Sequence, residues 1–324
     1  MGNSVDLVQN LLREELSVFE KKFKEAVQSK VPLLDRIMHY IIRRKGKQMR
    51  PMFVFLSARL FGVANDSTYR AAALVELLHT ATLVHDDVVD ESYERRGFFS
   101  INALWKNKVA VLVGDYLLSK GLLLSLDNGD FEILRWLSGA VRQMSEGELL
   151  QIERSRNLNL DESVYFEIIR NKTASLLASS CAAGAWSTSK DLQLAEKMRA
   201  FGEKAGIAFQ LKDDLFDYGE ANIGKPRGND IQEKKLTLPL IYTLNQMKRS
   251  SRQELIYLIK NKNRDKAAVK KIISAVEETG GITYARAKMT EYKEAALQIL
   301  KEFPESPVRQ GLEELVGYTT DRHY

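Results

Sequence analysis

Asp86-Asp87-Val88-Val89-Asp90 and Asp213-Asp214-Leu215-Phe216-Asp217 repeat one pattern, D-D-x-x-D, and each sits inside an otherwise apolar stretch. Read as helix, the first and last aspartates of each cluster stand at i and i+4 on one face. Carboxylates at that spacing repel unless a cation lies between them. Mg²⁺ prefers oxygen ligands and completes its octahedron with water and substrate phosphates. A fold that brought the clusters face to face would make a cage for a diphosphate and its metals. A solvated acidic helix face could account for one cluster, but it does not explain two among Leu, Val and Phe.

The apolar pattern around the clusters is helical. Val8, Leu12, Leu16, Phe19, Phe23 and Val27 recur every three or four residues and predict an amphipathic first helix. Pro32 opens a second helix, stopped by Gly46; Pro51 opens a third, closed by Gly62. Asp66 is placed to cap a long fourth helix that runs into the first acidic cluster and ends before Gly97. Helical patterns follow over 108–126, 130–154, 162–187 and 190–218, with Asp161 as cap of the third. Gly219 to Lys235 is polar, Gly-rich and aperiodic, and reads as a loop; helices return over 238–247, 252–258, 267–278, 284–300 and 308–316. No stretch alternates with period two, so no sheet is expected, and no fixed-period repeat or Gly-rich nucleotide motif occurs. Residues 1–324 read as a single all-α domain, a large helical bundle with central helices apolar nearly all round.

Six prolines in 324 residues agree with long helices, and one cysteine, Cys181, excludes an internal disulfide and suits a reducing cytoplasm. Cys181 has no metal-ligand spacing and reads as a buried structural thiol. The net charge of +5 is spread along the chain, so anionic small molecules fit at least as well as nucleic acid. No apolar signal core follows Met1. Val109 to Leu126, the most apolar window, carries Asp115 and Lys120 and reads as a buried helix rather than a membrane span.

Basic and polar groups punctuate the pattern. In Gly46-Lys47-Gln48-Met49-Arg50-Pro51, Lys47 and Arg50 are placed to meet one anion, a point charge beside a fork that matches phosphate oxygens. The alternative is a basic helix end answering the dipole. His79 lies two turns before Asp86, so both can line one cavity, although a lone His there reads by itself as a satisfied core residue; His85 faces differently and reads as structural. Arg95 and Arg96 are adjacent, so each could serve a different anion. Lys172 and Thr173 lie among Ile, Leu and Ala, where an unpaired Lys would be costly and a bound anion would explain it. Lys225 and Lys235 lie on the stretch after the second cluster, where a lid could close over phosphates.

On these residues, with Gly97, Gly147-Glu148 and Phe209-Gln210-Leu211-Lys212 added, the sequence resembles the trans-polyprenyl diphosphate synthases over essentially its whole length. It departs at Gln48, where the family often carries Arg. The resemblance implies antiparallel helices around a central cavity, the isoprenoid synthase type, usually as a homodimer. It implies Mg²⁺, three ions once substrate is bound, held by Asp86, Asp90 and Asp213 with Asp87, Asp214 and Asp217 in support. Arg95, Lys172, Thr173, Gln210, Lys225 and Lys235 would bind the allylic diphosphate, with farnesyl diphosphate the expected starter. Lys47, Arg50, His79 and Arg96 would hold isopentenyl diphosphate. The implied catalytic set is Asp86, Asp90, Arg95, Lys172 and Asp213.

Those residue types suit the chemistry. The allylic C–O bond ionises, and fixed positive charge stabilises the departing diphosphate. A dry cavity protects the allylic cation from water, the double bond of isopentenyl diphosphate attacks it, and a proton is lost. No protein nucleophile is needed. A terpene cyclase has no use for Lys47, Arg50 and His79. An HD-type phosphohydrolase built on His39, His79 and His85-Asp86 leaves Asp213 to Asp217 unused. A regulatory subunit without catalysis would be expected to have eroded clusters, and both are intact.

Chain length is read from Ala81 and Thr82, one turn before Asp86, where short-chain members of the family carry bulky aromatics. Small residues there imply a long all-trans product for a quinone side chain or similar lipid, with a shorter farnesyl or geranylgeranyl product as the alternative. Each turn of about 5.4 Å admits roughly one isoprene unit, and burying each five-carbon unit favours growth by roughly 3–4 kcal/mol. Leu74, Leu77, Leu78, Leu137, Val141 and Met144 are the expected lower walls. The expected location is the cytoplasm, with no membrane span, a peripheral membrane contact for product release, and no nucleic-acid partner.

Overall fold

The structure, a computed structural model, describes residues 4–43, 46–95, 97–157, 161–219 and 228–321. Helices make up nearly all of it, as the periodicity requires, and it divides into two compact units. The first comprises Met1–Val141, Leu176–Arg199 and Glu305–Leu315; the second comprises Arg142–Ser175, Ala200–Pro304 and Val316–Tyr324.

In the first unit, the helix Met49–Arg59 is buried continuously from Pro51 to Ala58. A helix apolar on all sides must lie inside its unit. Gly184 makes this packing close, because a Cβ there would stand 2.3 Å from the Val54 carbonyl oxygen. The long helix Asp66–Val89 starts at Asn65, not at Asp66 as the sequence suggested. The Asn65 side chain accepts from the Thr68 N–H, and the Thr68 hydroxyl accepts from the Asn65 N–H. This reciprocal cap is worth about 1 kcal/mol.

One face of Asp66–Val89 carries Leu77, Ala81 and Val84 against Ile101, Ala110, Val113 and Leu117 of the helix Ile101–Leu126. Two glycines close this seam: at Gly121 a Cβ would stand 2.8 Å from Leu74, and at Gly114 one would overlap the His85 ring. Ile101–Leu126 bends at Lys106, where φ is 71°. It is long and apolar enough to cross a membrane, but only 33% of its most apolar window is buried. The expected buried helix is therefore buried on one side; Val111, Leu112, Leu123 and Leu126 are exposed on the other.

Between these two helices lies an antiparallel pair, Glu94–Arg95 with Phe98–Phe99, turned at Gly97 with φ 76°. No sheet was expected, since strands of two residues are too short to show an alternation. The amphipathic first helix is two, Ser4–Leu11 and Arg13–Ala26, broken at Leu12. Pro32 does stand at the first turn of Pro32–Ile42.

The second unit is built around Ile207, Leu211 and Leu215 packed with Ile231, Leu240, Ile241, Ile272 and Val276. The expected continuous helix over 162–187 is Glu162–Ile169, a π-helical turn Arg170–Ala174, and Ser175–Ser189. Asp161 caps the first of these by accepting from the Val164 N–H. Two glycines press on the π turn. A Cβ at Gly147 would stand 2.9 Å from Asn171 Cβ and 3.0 Å from the Lys172 nitrogen. One at Gly206 would stand 2.7 Å from Ala174 Cα. Without side chains at these points, the helices Phe131–Asn157 and Leu192–Phe216 both reach the turn closely. Within the expected loop 219–235, Asn229–Gln232 forms a short helix.

Candidate active site

In the first unit, spacing along Asp66–Val89 puts Val75, His79, Thr82, Asp86 and Asp90 on one face. Asp86 is half-buried and Asp90 exposed. Asp87 turns inward. It is 4% exposed and accepts from Arg95 Nε and Nη2, each at 2.8 Å. Asn102 donates to the Asp87 carbonyl at 3.0 Å, which ties the end of the helix to Ile101–Leu126. Burial pushes the Asp87 carboxyl above its ordinary value, and the guanidinium pulls it back. Asp87, expected among the metal ligands, and Arg95, expected on the diphosphate, are thus partners of each other.

The Met49–Arg59 and Asp66–Val89 helices bring Arg50 and His79 together. Arg50 Nη1 donates to His79 Nε2 at 2.8 Å. A guanidinium has no lone pair to offer, so His79 Nε2 is the acceptor and the ring is neutral with its proton on Nδ1. Lys47 is exposed one turn earlier, and Gln48 between them takes a left-handed conformation, φ 52°. For a residue with a side chain this is an uncommon conformation, and it sets the angle at which Lys47 enters the helix. Arg96 lies outside the described residues.

Ala81 and Thr82, expected side by side on the path of the growing chain, face different ways. Thr82 belongs to the Asp86 face and donates its hydroxyl to the His79 carbonyl at 2.9 Å. Ala81 is 2% exposed in the seam against Ile101–Leu126. Leu74 and Leu77, expected as lower walls, also pack into that seam against Gly121. The adjacent positions looked equivalent in sequence, but a helix rotates each residue by about 100°. His85 is structural as expected: its Nε2 meets the Val111 carbonyl at 3.2 Å, against Gly114. Cys181 is fully buried with its thiol pushed up to about 12, the inert thiol expected.

In the second unit, a connected chain of hydrogen bonds crosses three elements. The Thr173 hydroxyl donates to Gln210 Oε1 at 2.8 Å, Gln210 Nε2 donates to Asp214 Oδ1 at 2.8 Å, and Tyr165 donates to Asp214 Oδ2 at 2.6 Å. Thr173 and Gln210, expected on the diphosphate, are thus held in place by Asp214. Asp213, the first of its cluster, is half-buried, as Asp86 is. Asp217 is 9% exposed and accepts backbone N–H groups of Asn229, Asp230 and Ile231. Its Oδ2 has no hydrogen-bond partner among the described residues. Burial first, and then the Asp230 carboxylate, push Asp214 up to about 7 and Asp217 up to about 6. Crowded acids of this kind are relieved by a cation.

Lys172 is not the unpaired cation the sequence suggested. Its ammonium pairs with Glu148 and lies 3.4 Å from Gln151 Oε1. It also stands on the π turn rather than mid-α-helix; such turns recur at functional sites. Lys235 pairs with Glu233. Lys225 lies outside the described residues.

Among the described residues, no three His, Cys, Asp or Glu groups converge to hold a metal by themselves. This suits Mg²⁺, which takes one or two carboxylates and fills its shell with water and phosphate oxygens. The unpartnered Asp217 Oδ2 and the raised carboxyls fit a cation arriving with an anionic ligand. An HD-type phosphohydrolase needs a preformed His/Asp cluster, and His39 is instead occupied with Asp35 on its own helix.

Sequence reasoning passed over Tyr165, which holds Asp214, and Asp230, which crowds Asp214 and Asp217. Tyr165 could have been noticed as a hydroxyl within an apolar helix; Asp230 gave no signal, standing in an aperiodic stretch.

Comparison with known proteins gives the family. The Polyprenyl synthetase family model matches residues 31–276. The all-trans-nonaprenyl-diphosphate synthase (geranyl-diphosphate specific) of Rhodobacter capsulatus is 34% identical over 98% of this chain and 99% of its own. The crystal structure of a polyprenyl synthase from Caulobacter crescentus, complexed with calcium and isoprenyl diphosphate, superposes with a TM-score of 0.90 at 34% identity, covering 99% of both chains. That of a geranylgeranyl pyrophosphate synthase from Bacteroides thetaiotaomicron superposes with a TM-score of 0.84 at 37% identity, covering 98% of this chain and 99% of the other. With a family model matching most of its length and a relative 34% identical over nearly all of it, the chain belongs to the polyprenyl synthetase family of prenyltransferases.

Proposed function

We propose that residues 1–324 act as one polyprenyl synthase domain that adds isopentenyl diphosphate head to tail onto an allylic diphosphate, with farnesyl diphosphate as starter. The product is an all-trans chain of about seven to nine isoprene units, eight the central expectation, at roughly one unit per helical turn. The observation that carries this reading is the Asp86 face. It carries Asp86 and Asp90, the Arg50–His79 pair, and the small Thr82 one turn below. The nonaprenyl product named for the Rhodobacter relative supports a long chain. A four-unit product is the second reading, favoured by the 37% identity to the geranylgeranyl synthase.

In this reading Asp86 and Asp90, and Asp213 and Asp217, serve Mg²⁺, three ions with substrate bound, and Asp87 supports them from its pair with Arg95. Those ions supply positive charge on the departing diphosphate. Arg95, Lys172, Thr173, Gln210, Lys225 and Lys235 bind the allylic diphosphate, Thr173 and Gln210 pre-oriented by their hydrogen bonds to one another and to Asp214. Arg50, with Lys47 and Arg96, binds isopentenyl diphosphate, and neutral His79 fixes the Arg50 fork without subtracting from its charge. The exposed apolar stripe Val111, Leu112, Leu123 and Leu126 supports a homodimer. The proposed setting is the cytoplasm, with peripheral membrane contact on product release, a lipid such as a quinone side chain as destination, and no nucleic-acid partner.

Purified chain given Mg²⁺, farnesyl diphosphate and labelled isopentenyl diphosphate is expected to incorporate label into products of seven to nine units. No incorporation overturns the activity; a four-unit product selects the second reading. Thr82→Phe is expected to shorten the product to about three or four units with the fold intact. Ala81→Phe would overpack the seam, costing roughly 1–3 kcal/mol, so Thr82 is the cleaner test.

A further inference from the structure

Glu148 has no role in the reaction as described, yet it holds one of its cations. It follows Gly147 on Phe131–Asn157, and Gly147 is where that helix meets the π turn with no room for a Cβ. The close approach sets Glu148 beside Lys172, where their side chains pair with 24% and 32% of their surface exposed. Gln151, one turn along, offers a second, neutral oxygen at 3.4 Å. An ammonium has three donors, so one N–H remains for another acceptor. Its neighbour Thr173 is fixed through Gln210 to Asp214, so within the Lys172-Thr173 pair the ammonium is the group on a flexible stem.

We infer that Glu148 is a positioning residue that competes with bound diphosphate for the Lys172 ammonium and reclaims it as pyrophosphate leaves. The inference rests on the reading that Lys172 binds the allylic diphosphate. A diphosphate carries more charge than one carboxylate and draws the ammonium away. Glu148 is then left without its partner and repels the bound anion. Free pyrophosphate has one more ionisable oxygen than its allylic ester, so the repulsion weighs more on product than on substrate. Glu148 therefore weakens product binding selectively, in the direction that favours turnover.

The test is inhibition by inorganic pyrophosphate at saturating Mg²⁺, with KM and kcat measured separately. Glu148→Gln removes the competing charge and keeps the shape. It is expected to lower the inhibitory pyrophosphate concentration about fivefold. The KM for the allylic diphosphate should fall by a smaller factor, and kcat should fall if release is slow. Glu148→Asp should retain most of the wild-type behaviour; if Glu148→Gln does not fold, Glu148→Ala takes its place, with the same shift expected. In the Lys172→Gln background, Glu148→Gln should still strengthen pyrophosphate inhibition but by a smaller factor, because only the repulsion remains and no ion pair has to be broken. Unchanged or weaker pyrophosphate inhibition in Glu148→Gln overturns the competition, because a purely structural ion pair would loosen Lys172 and weaken binding. If Lys172→Gln alone leaves pyrophosphate inhibition untouched, the assignment of Lys172 to the diphosphate fails, and this inference with it. If Lys172→Gln weakens inhibition while Glu148→Gln does not strengthen it, only the role of Glu148 is lost.

Discussion

Asp87 and Asp214 hold the same place in the same five-residue pattern, yet a guanidinium answers one and a phenol with an amide answers the other. Both are buried, and both lie one residue after a half-buried aspartate. In the first unit the inward charge is met by Arg95. In the second Tyr165 and Gln210 meet Asp214, its carboxyl rises to about 7, and the last aspartate, Asp217, turns in to the N–H groups of the short helix 229–232. The shared pattern therefore turns the second aspartate inward in both clusters, but it fixes neither the direction of the last aspartate nor the partners of the inward one. Burial raises both inward carboxyls, and the Arg95 guanidinium pulls Asp87 back.

The largest expected effect treats the two clusters as equals. Asp86→Ala and Asp213→Ala should each cut turnover by about two orders of magnitude or more, since each removes a ligand where charge develops. Near-normal turnover of either at saturating Mg²⁺ would break the equivalence and confine the metal role to the other unit. The next concerns stability and should separate the two. Arg95→Ala leaves a buried carboxylate without its cation and is expected to cost about 2 kcal/mol, moderated by the partly exposed guanidinium. Tyr165→Phe removes one of two hydrogen bonds to an acid that holds its proton near neutrality, and should cost about 1 kcal/mol. Denaturant unfolding at pH 7 decides; equal costs would mean that the partners are interchangeable.

The smallest effect is in pH. Asp214 and Asp217 are raised from 3.8 to about 7 and about 6, so the folded chain holds those protons more tightly than the unfolded one. The stability they contribute is complete below about pH 3.8 and is lost as pH rises through 6 and 7. Metal-free protein should therefore show a falling contribution to Tm between pH 5 and pH 7.5. That fall should be reduced in Asp214→Asn and reversed by Mg²⁺ with pyrophosphate. A fall of the same size in Asp214→Asn would remove Asp214 from the account.

Much of the site was legible because it is written within single helices. The i, i+4 spacing put Asp86 with Asp90, the two-turn spacing added His79, and Pro32 and Asp161 marked helix starts by their own backbone chemistry. Neighbouring residues on one helix are related by fixed geometry, so their relative directions follow from spacing alone. The same geometry separates Ala81 from Thr82, but spacing does not say which face meets another helix.

The sequence by itself determined the all-α class and the family, and it put Asp86 and Asp90 on one helix face. The tertiary structure decided the partners: Arg95 for Asp87, Tyr165 and Gln210 for Asp214, Glu148 for Lys172, His79 for Arg50. Except for Gln210 and Asp214, these pairs do not share a helix. Some of them exist only because Gly147 and Gly206 leave room for backbones to touch near the π turn. Helical periodicity is a local property of the chain. Which charge is neutralised by which neighbour depends on close packing between segments distant in sequence, and no spacing along the chain records that.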